Sequence, residues 1–131
     1  MADLFSDAWM KSFGEQWNAE AELAGALSQI GFNSTIGYGF TGDAAPSGVI
    51  VVQNGQVTSA GAYNGEALNW DLRATADSWQ KWIEKGIGMM GLGTAYATGK
   101  LKFNVGDYAA MVKDPRMAGP FIKSFSVMGR A

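Results

Sequence analysis

Cysteine and histidine are both missing from the 131 residues. The first absence excludes disulfides and thiol chemistry and leaves no sign of an oxidising compartment. The second excludes imidazole metal sites, and the two together exclude Ser-His and Cys-His nucleophile pairs. Charge is sparse as well. Ten Lys and Arg against twelve Asp and Glu give a net charge of −2. No basic run offers a phosphate-binding surface, so nucleic acid is not an expected partner. Long apolar runs are lacking: the most membrane-like stretch, residues 86–99, falls short of the roughly 20 residues of a spanning helix and is rich in glycine. The opening Met1-Ala2-Asp3-Leu4-Phe5-Ser6-Asp7 has neither the basic start nor the apolar core of a secretory signal, which makes a cytoplasmic location the expectation. A chain of this length is expected to form one domain over residues 1–131, able to bury a core without staples.

What the chain has instead is aromatic and apolar periodicity. Phe5, Trp9, Phe13 and Trp17 recur at four-residue steps, which predicts a helix from about residue 3 to about residue 16 with one buried face. That stripe reads either as core or as one wall of a pocket. Asn18, followed by Glu20 and Glu22, reads as the cap of a second helix that turns Leu23, Ala24, Leu27 and Ile30 inward and stops at Gly31. After Phe32 the period changes to two. Ile36, Tyr38 and Phe40 alternate with Gly37 and Gly39 in a strand whose second face is nearly bare, and residues 43–47 form a loop. Val49-Ile50-Val51-Val52 suits a strand covered on both faces. Asn54-Gly55 is the strongest hairpin signal in the chain, because a type I′ turn needs positive φ at both central residues. A return strand is expected over residues 57–63. A second turn of the same kind at Asn64-Gly65 then leads into a fourth strand with Leu68, Trp70 and Leu72 on one face and Asn69, Asp71 and Arg73 on a wet one.

Thr75 or Asp77 caps the next helix, where Trp79, Trp82 and Ile83 share a side and Lys85-Gly86 closes it. The following glycine-rich stretch is a poor helix former and reads as pliable. Gly99 opens a last strand with Lys100 and Lys102 on one face and Leu101, Phe103 and Val105 on the other. Asp107 caps residues 108–113. Gly119-Pro120 is read as the start of a terminal helix whose stripe is Phe121, Ile122 and Phe125, with Met128 beside it, and a loosely packed terminal helix of this kind is expected to act as a lid.

Small residues on the strands (Gly37, Gly39, Ala60, Gly61, Ala62) subtract volume from the sheet, while Met89, Met90, Met111, Met117, Phe121, Phe125 and Met128 supply adaptable walls. The pattern reads as an internal apolar cavity or as glycines relieving strain beside gap-filling methionines, and composition alone favours the second. Catalysis has little to work with. Glu66 and Asp71 flank a strand with Tyr63 nearby, the usual setting of solvated surface acids, so no catalytic residue and no enzyme activity is expected. The formal GxGxxG of Gly86-Ile87-Gly88-Met89-Met90-Gly91 follows a helix end instead of a strand, and no dinucleotide, other cofactor or metal is expected. Lys100 and Lys102 read as solvated charges on the strand or as contacts to an anionic head group.

Gly99-Lys100-Leu101-Lys102, Gly106-Asp107, an alanine-rich turn and an apolar terminal helix together resemble the end of the sterol carrier protein (type 2) family. Residues 71–79, Asp71-Leu72-Arg73-Ala74-Thr75-Ala76-Asp77-Ser78-Trp79, resemble its fourth strand running into a helix. Trp9, Asn18 and Glu22-Leu23-Ala24 sit where bacterial members place similar residues. Three residues, Phe103-Asn104-Val105, separate Lys102 from Gly106 where the family pattern has two, which bears on the register of the last strand. The resemblance implies an α/β (α+β) fold: an antiparallel-rich sheet of about five strands, covered on one face by helices that enclose a hydrophobic tunnel. It also implies non-catalytic binding and transfer of a sterol, fatty acid, fatty acyl-CoA or phospholipid, gated by the C-terminal helix. Trp9, Phe40, Val52, Trp82, Tyr96, Phe103 and Ile122 then join the methionines and phenylalanines named above as ligand-binding residues. Transient contact with a membrane surface and a partner enzyme to which the domain presents its ligand are the further interactions implied; the alternative reading is such an accessory subunit or a small-molecule enzyme that uses the same pocket.

Overall fold

The computed structural model describes residues 3–131; Met1 and Ala2 of the acidic opening segment lie outside the described residues. The elements are α1 (Asp7–Ala19), a π-helical turn (Ala21–Gly25), α2 (Ala26–Gln29), β1 (Ser34–Phe40), β2 (Gly48–Gln53), β3 (Gln56–Ala62), β4 (Trp70–Ala74), α3 (Ala76–Lys85), α4 (Met89–Ala97), β5 (Lys102–Val105), α5 (Tyr108–Lys113) and α6 (Pro115–Met128). One mixed sheet runs in the order β3-β2-β1-β4-β5. Its only parallel pair among the described residues is β1 with β4. No helix among them is long and apolar enough to cross a membrane.

The Asn54-Gly55 turn joins β2 and β3 with φ of 51° and 82°, as a type I′ turn requires. The second expected hairpin does not form. Tyr63 donates its hydroxyl hydrogen to the Glu66 carbonyl, and the Asn64 N–H donates to the Glu66 carboxylate, so residues 63–69 make a wider loop. Asn69 then exchanges bonds with Thr35 through its backbone N–H and its side-chain oxygen, delivering the chain to the free edge of β1. β4 therefore pairs with β1 in parallel, on the far side of the sheet from β3. The face of β4 that was expected to be wet is covered. Asp71 and Arg73 are buried there as a two-pronged ion pair of 2.6 and 3.0 Å, and Arg73 also donates to the Asp43 carbonyl. Every prong of the pair has a partner, which offsets its removal from water.

The other sheet face carries the helices. α1 starts later than periodicity suggested, at the Ser6 cap, because Phe5 turns the chain at φ 63°. Its ring still reaches the core. Asn18 is not a cap. It lies within α1, and its side-chain amide both donates to and accepts from the backbone of Val57, tying the helix to β3. Glu20 caps the π-helical turn instead. α6 likewise starts ahead of Gly119-Pro120: Asp114 accepts from the Arg116 N–H, and Pro115 takes the first position, where its missing donor costs nothing. Pro120 lies inside the helix and gives up one intrahelical bond. The extra residue between Lys102 and Gly106 appears as a bulge: Asp71 faces Val105 and Leu72 faces Phe103, which leaves Asn104 unpaired in register.

Candidate ligand-binding site

The helical side of the molecule is filled unevenly. Around Trp79, rings pack against rings: Phe5 meets it edge-on at 5.0 Å between centroids, Trp82 edge-on at 5.5 Å, and Phe125 stacks at 6.1 Å. Towards α5 the packing opens into an apolar cavity of about 40 Å³, room for a few water molecules. Its floor is the helix-facing side of β1 and β4, with Ile36, Tyr38, Trp70 and Leu72. Trp17 of α1, Leu23 of the π-helical turn, Leu27 of α2 and Phe32 make one wall. Met111 of α5 and Met117, Phe121 and Ser124 of α6 close the other.

Each wall has a local cause. The Trp17 indole N–H donates to the Gly55 carbonyl at 2.9 Å, which fixes its ring. The wide π turn, in which the Ala26 N–H reaches back to Ala21, lets the chain swing between α1 and α2 with Leu23 and Leu27 inward. Such turns recur where a helix is bent to serve a site. Gly106, at φ 113°, lies so close to the Trp70 ring that any side chain there would collide with it. Ser124 donates its hydroxyl hydrogen to the Phe121 carbonyl. Burial pushes the Tyr38 phenol well above its ordinary value, so it stays protonated. No lining residue carries a charge, and among the described residues no cluster of acidic groups could hold a metal ion.

Of the residues that sequence reasoning assigned to the ligand, Met111, Met117 and Phe121 line this cavity. Trp9, Phe40, Trp82 and Phe125 belong to the ring cluster and its edge, while Val52 and Met128 are ordinary core. Phe103 and Ile122 pack half-buried beside that core. Met89, Met90 and Tyr96 are exposed, and Tyr96 stacks on Tyr108 at 3.8 Å. The strand glycines do not shape the cavity. Gly37 and Gly39 point to the opposite face of the sheet, where Pro46 presses on them and Leu68 or Arg73 completes the cover, and Ala60 fits beside Gly14 of α1. Trp17 comes from the stripe read as core or as one pocket wall; the lining residues that sequence reasoning did not single out, Leu23, Leu27, Phe32, Ile36, Tyr38, Trp70, Leu72 and Ser124, come from four separate stretches. For most of them periodicity signalled burial, and nothing in it separates a cavity wall from a core.

No protein-family model matches the chain, and no curated protein compared with it is significantly similar. Solved structures are. A sterol carrier protein 2 crystal structure superposes with a TM-score of 0.77 at 20% identity, over 98% of this chain and 99% of that one. A conserved hypothetical protein from Thermus thermophilus gives 0.68 at 20% identity, over 98% and 92%. An SCP2 ubiquinone synthesis protein, UbiJ, gives 0.61 at 12% identity, over 92% and 88%. The chain has the sterol carrier protein 2 fold.

Proposed function

We propose, from a chain that carries the sterol carrier protein 2 fold, that it forms one domain that binds a hydrophobic ligand and passes it on without changing it. The observation that carries this reading is the uncharged cavity whose walls come from both ends of the chain. Ligand pockets usually span roughly 300–1,000 Å³. A cavity of about 40 Å³ must therefore widen on loading. Methionine walls suit that, since Met111 and Met117 have unbranched, polarizable side chains that repack at little cost. The gate is α5 with the first turns of α6. α5 is a short helix held between Gly106 and the Asp114 cap, whereas the far half of α6 is anchored by Phe125, Val127 and Met128 in the core.

The ligand is a lipid of the sterol, fatty acid, fatty acyl-CoA or phospholipid kind, taken up in the cytoplasm. Met89 and Met90, exposed at the start of α4, offer a surface for brief contact with a membrane. Native mass spectrometry of the purified protein tests the reading: a co-purifying lipid adduct at one per chain is the expected result. A bare chain whose tryptophan fluorescence ignores every lipid offered overturns it. A second reading, an accessory subunit that presents its ligand to a partner enzyme, draws on the likeness to a ubiquinone synthesis protein. Stable co-purification with such an enzyme favours it.

A further inference from the structure

α4 sits on the surface without the composition of a surface helix. Its nine residues, Met89–Ala97, include no charged side chain, yet only Leu92 and Ala95 are buried. A helix apolar all round is normally covered. The exposed large apolar side chains among the described residues are Met89, Met90, Tyr96 and Val105, and Met90 is 88% exposed. All four fall on α4 or on β5, the strand that follows it. The flanks are basic. Residues 85–106 hold Lys85, Lys100 and Lys102 and no acid, whereas the rest of the chain has seven basic residues against twelve acidic. The acids that bound this stretch have other partners: Glu84 accepts from Gln80, and Asp107 caps α5. The three lysines are exposed, and none is in an ion pair among the described residues. The patch also leads inward. Tyr96 meets Phe103 at 5.9 Å between ring centroids, and Phe103 meets Trp70 at 6.0 Å and Phe121 at 6.1 Å, both of the cavity lining.

We infer that α4, with the lysines on either side of it, docks on bilayers that carry anionic lipid. This deepens the brief membrane contact proposed above, and the use it serves rests on the lipid-binding reading. A helix of nine residues rises about 14 Å, too little to span a bilayer, so it lies along the surface. Met89, Met90 and Tyr96 enter the head-group boundary, while the lysine stems lie against it and hold their ammonium groups at the phosphates. The bilayer then rests against the Phe103 side of the cavity. A second copy of the chain suits this face poorly, because a two-fold contact would set lysines against lysines with no acid to meet them.

The test is co-sedimentation of the full chain with phosphatidylcholine vesicles, with and without one-third phosphatidylglycerol, at low salt. The anionic vesicles are expected to bind on the order of a hundredfold more tightly, at about fivefold for each of the three lysines. Met90→Asp, at a site too exposed to matter for folding, should weaken that binding at least about tenfold with an unchanged circular dichroism spectrum. Lys100→Gln together with Lys102→Gln should cut the preference for anionic vesicles about twentyfold and leave binding to neutral ones as it was. Equal binding to the two kinds of vesicle overturns the inference, as does full binding by Met90→Asp. So does a chain that ignores vesicles, whether it sediments as a dimer that Met90→Asp separates or is held only by a protein partner. Native mass spectrometry keeps the two readings apart. A lipid adduct on a chain that ignores vesicles leaves the lipid-binding reading standing, whereas vesicle binding by a chain that never carries lipid overturns that reading and leaves the docking.

Discussion

The two ends of α6 face different interiors. Its far half, with Phe125, Val127 and Met128, enters a cluster in which aromatic rings lock one another and almost no surface remains open. Its near half, with Met117, Phe121 and Ser124, borders a space. One helix thus serves as a structural member and as a cavity wall, and what separates the roles is the partner surface. Rings in mutual contact meet it at one end, whereas at the other it faces a gap bounded by Met111, the π-helical turn and the rings of Trp17, Tyr38 and Trp70. A hydrophobic stripe therefore does not by itself distinguish packing from binding.

Truncating one side chain at each end of α6 separates the two interiors by the largest margin. Phe125→Ala removes a fully buried ring and is expected to cost about 3–5 kcal/mol in denaturant unfolding. Met117→Ala, half-buried at the cavity, is expected to cost about 1 kcal/mol. Equal losses would mean that the cavity end is packed as tightly as the core. Removing residues 119–131 as a unit should for the same reason unfold the chain, not merely open it. The terminal helix is too deeply anchored to be a detachable lid along its whole length.

A smaller effect separates the two faces of the sheet. Gly39→Leu drives a side chain into the Pro46 backbone, 2.9 Å from the position its Cβ would take. About 1–3 kcal/mol of destabilisation is expected, with lipid affinity in the folded fraction unchanged. Loss of affinity without loss of stability would instead put that face in the binding site.

The smallest effect concerns what holds the far end of α6 down. Glu20 meets Arg130 at 2.8 Å and Lys123 at 3.9 Å. The hydrogen bond from Arg130 and the backbone N–H of Glu22 hold its carboxyl below the usual range. A lowered carboxyl stabilises the fold above its unfolded value and loses that contribution as pH falls through its folded value. Glu20→Gln should therefore shift the thermal midpoint slightly downward at neutral pH and low salt, and not at all in acid, where the wild-type carboxyl is protonated too. A difference that persists in acid would assign the loss to packing.

Local chemistry determined the parts of this protein that depend on neighbours in sequence. The Asn54-Gly55 turn, the Thr75 and Asp107 caps and the break at Gly86 stand where their residues require, because a positive φ or an orphan N–H is settled within a few positions. The motifs near Leu101 and Asp71 also carried enough of a pattern to indicate the sterol-carrier fold. Only tertiary structure decided the rest. β4 left its expected hairpin because Asn69 found Thr35 across the sheet, and Asn18 went from cap to crosslink because Val57 lay within reach. The cavity belongs to the same class. Met111, Met117 and Phe121 were legible as adaptable walls, but Tyr38, Leu23 and Trp70 read simply as buried. Whether a buried side chain meets a neighbour or a void depends on how far apart two packed layers are held, and that distance is set by contacts between residues remote in sequence.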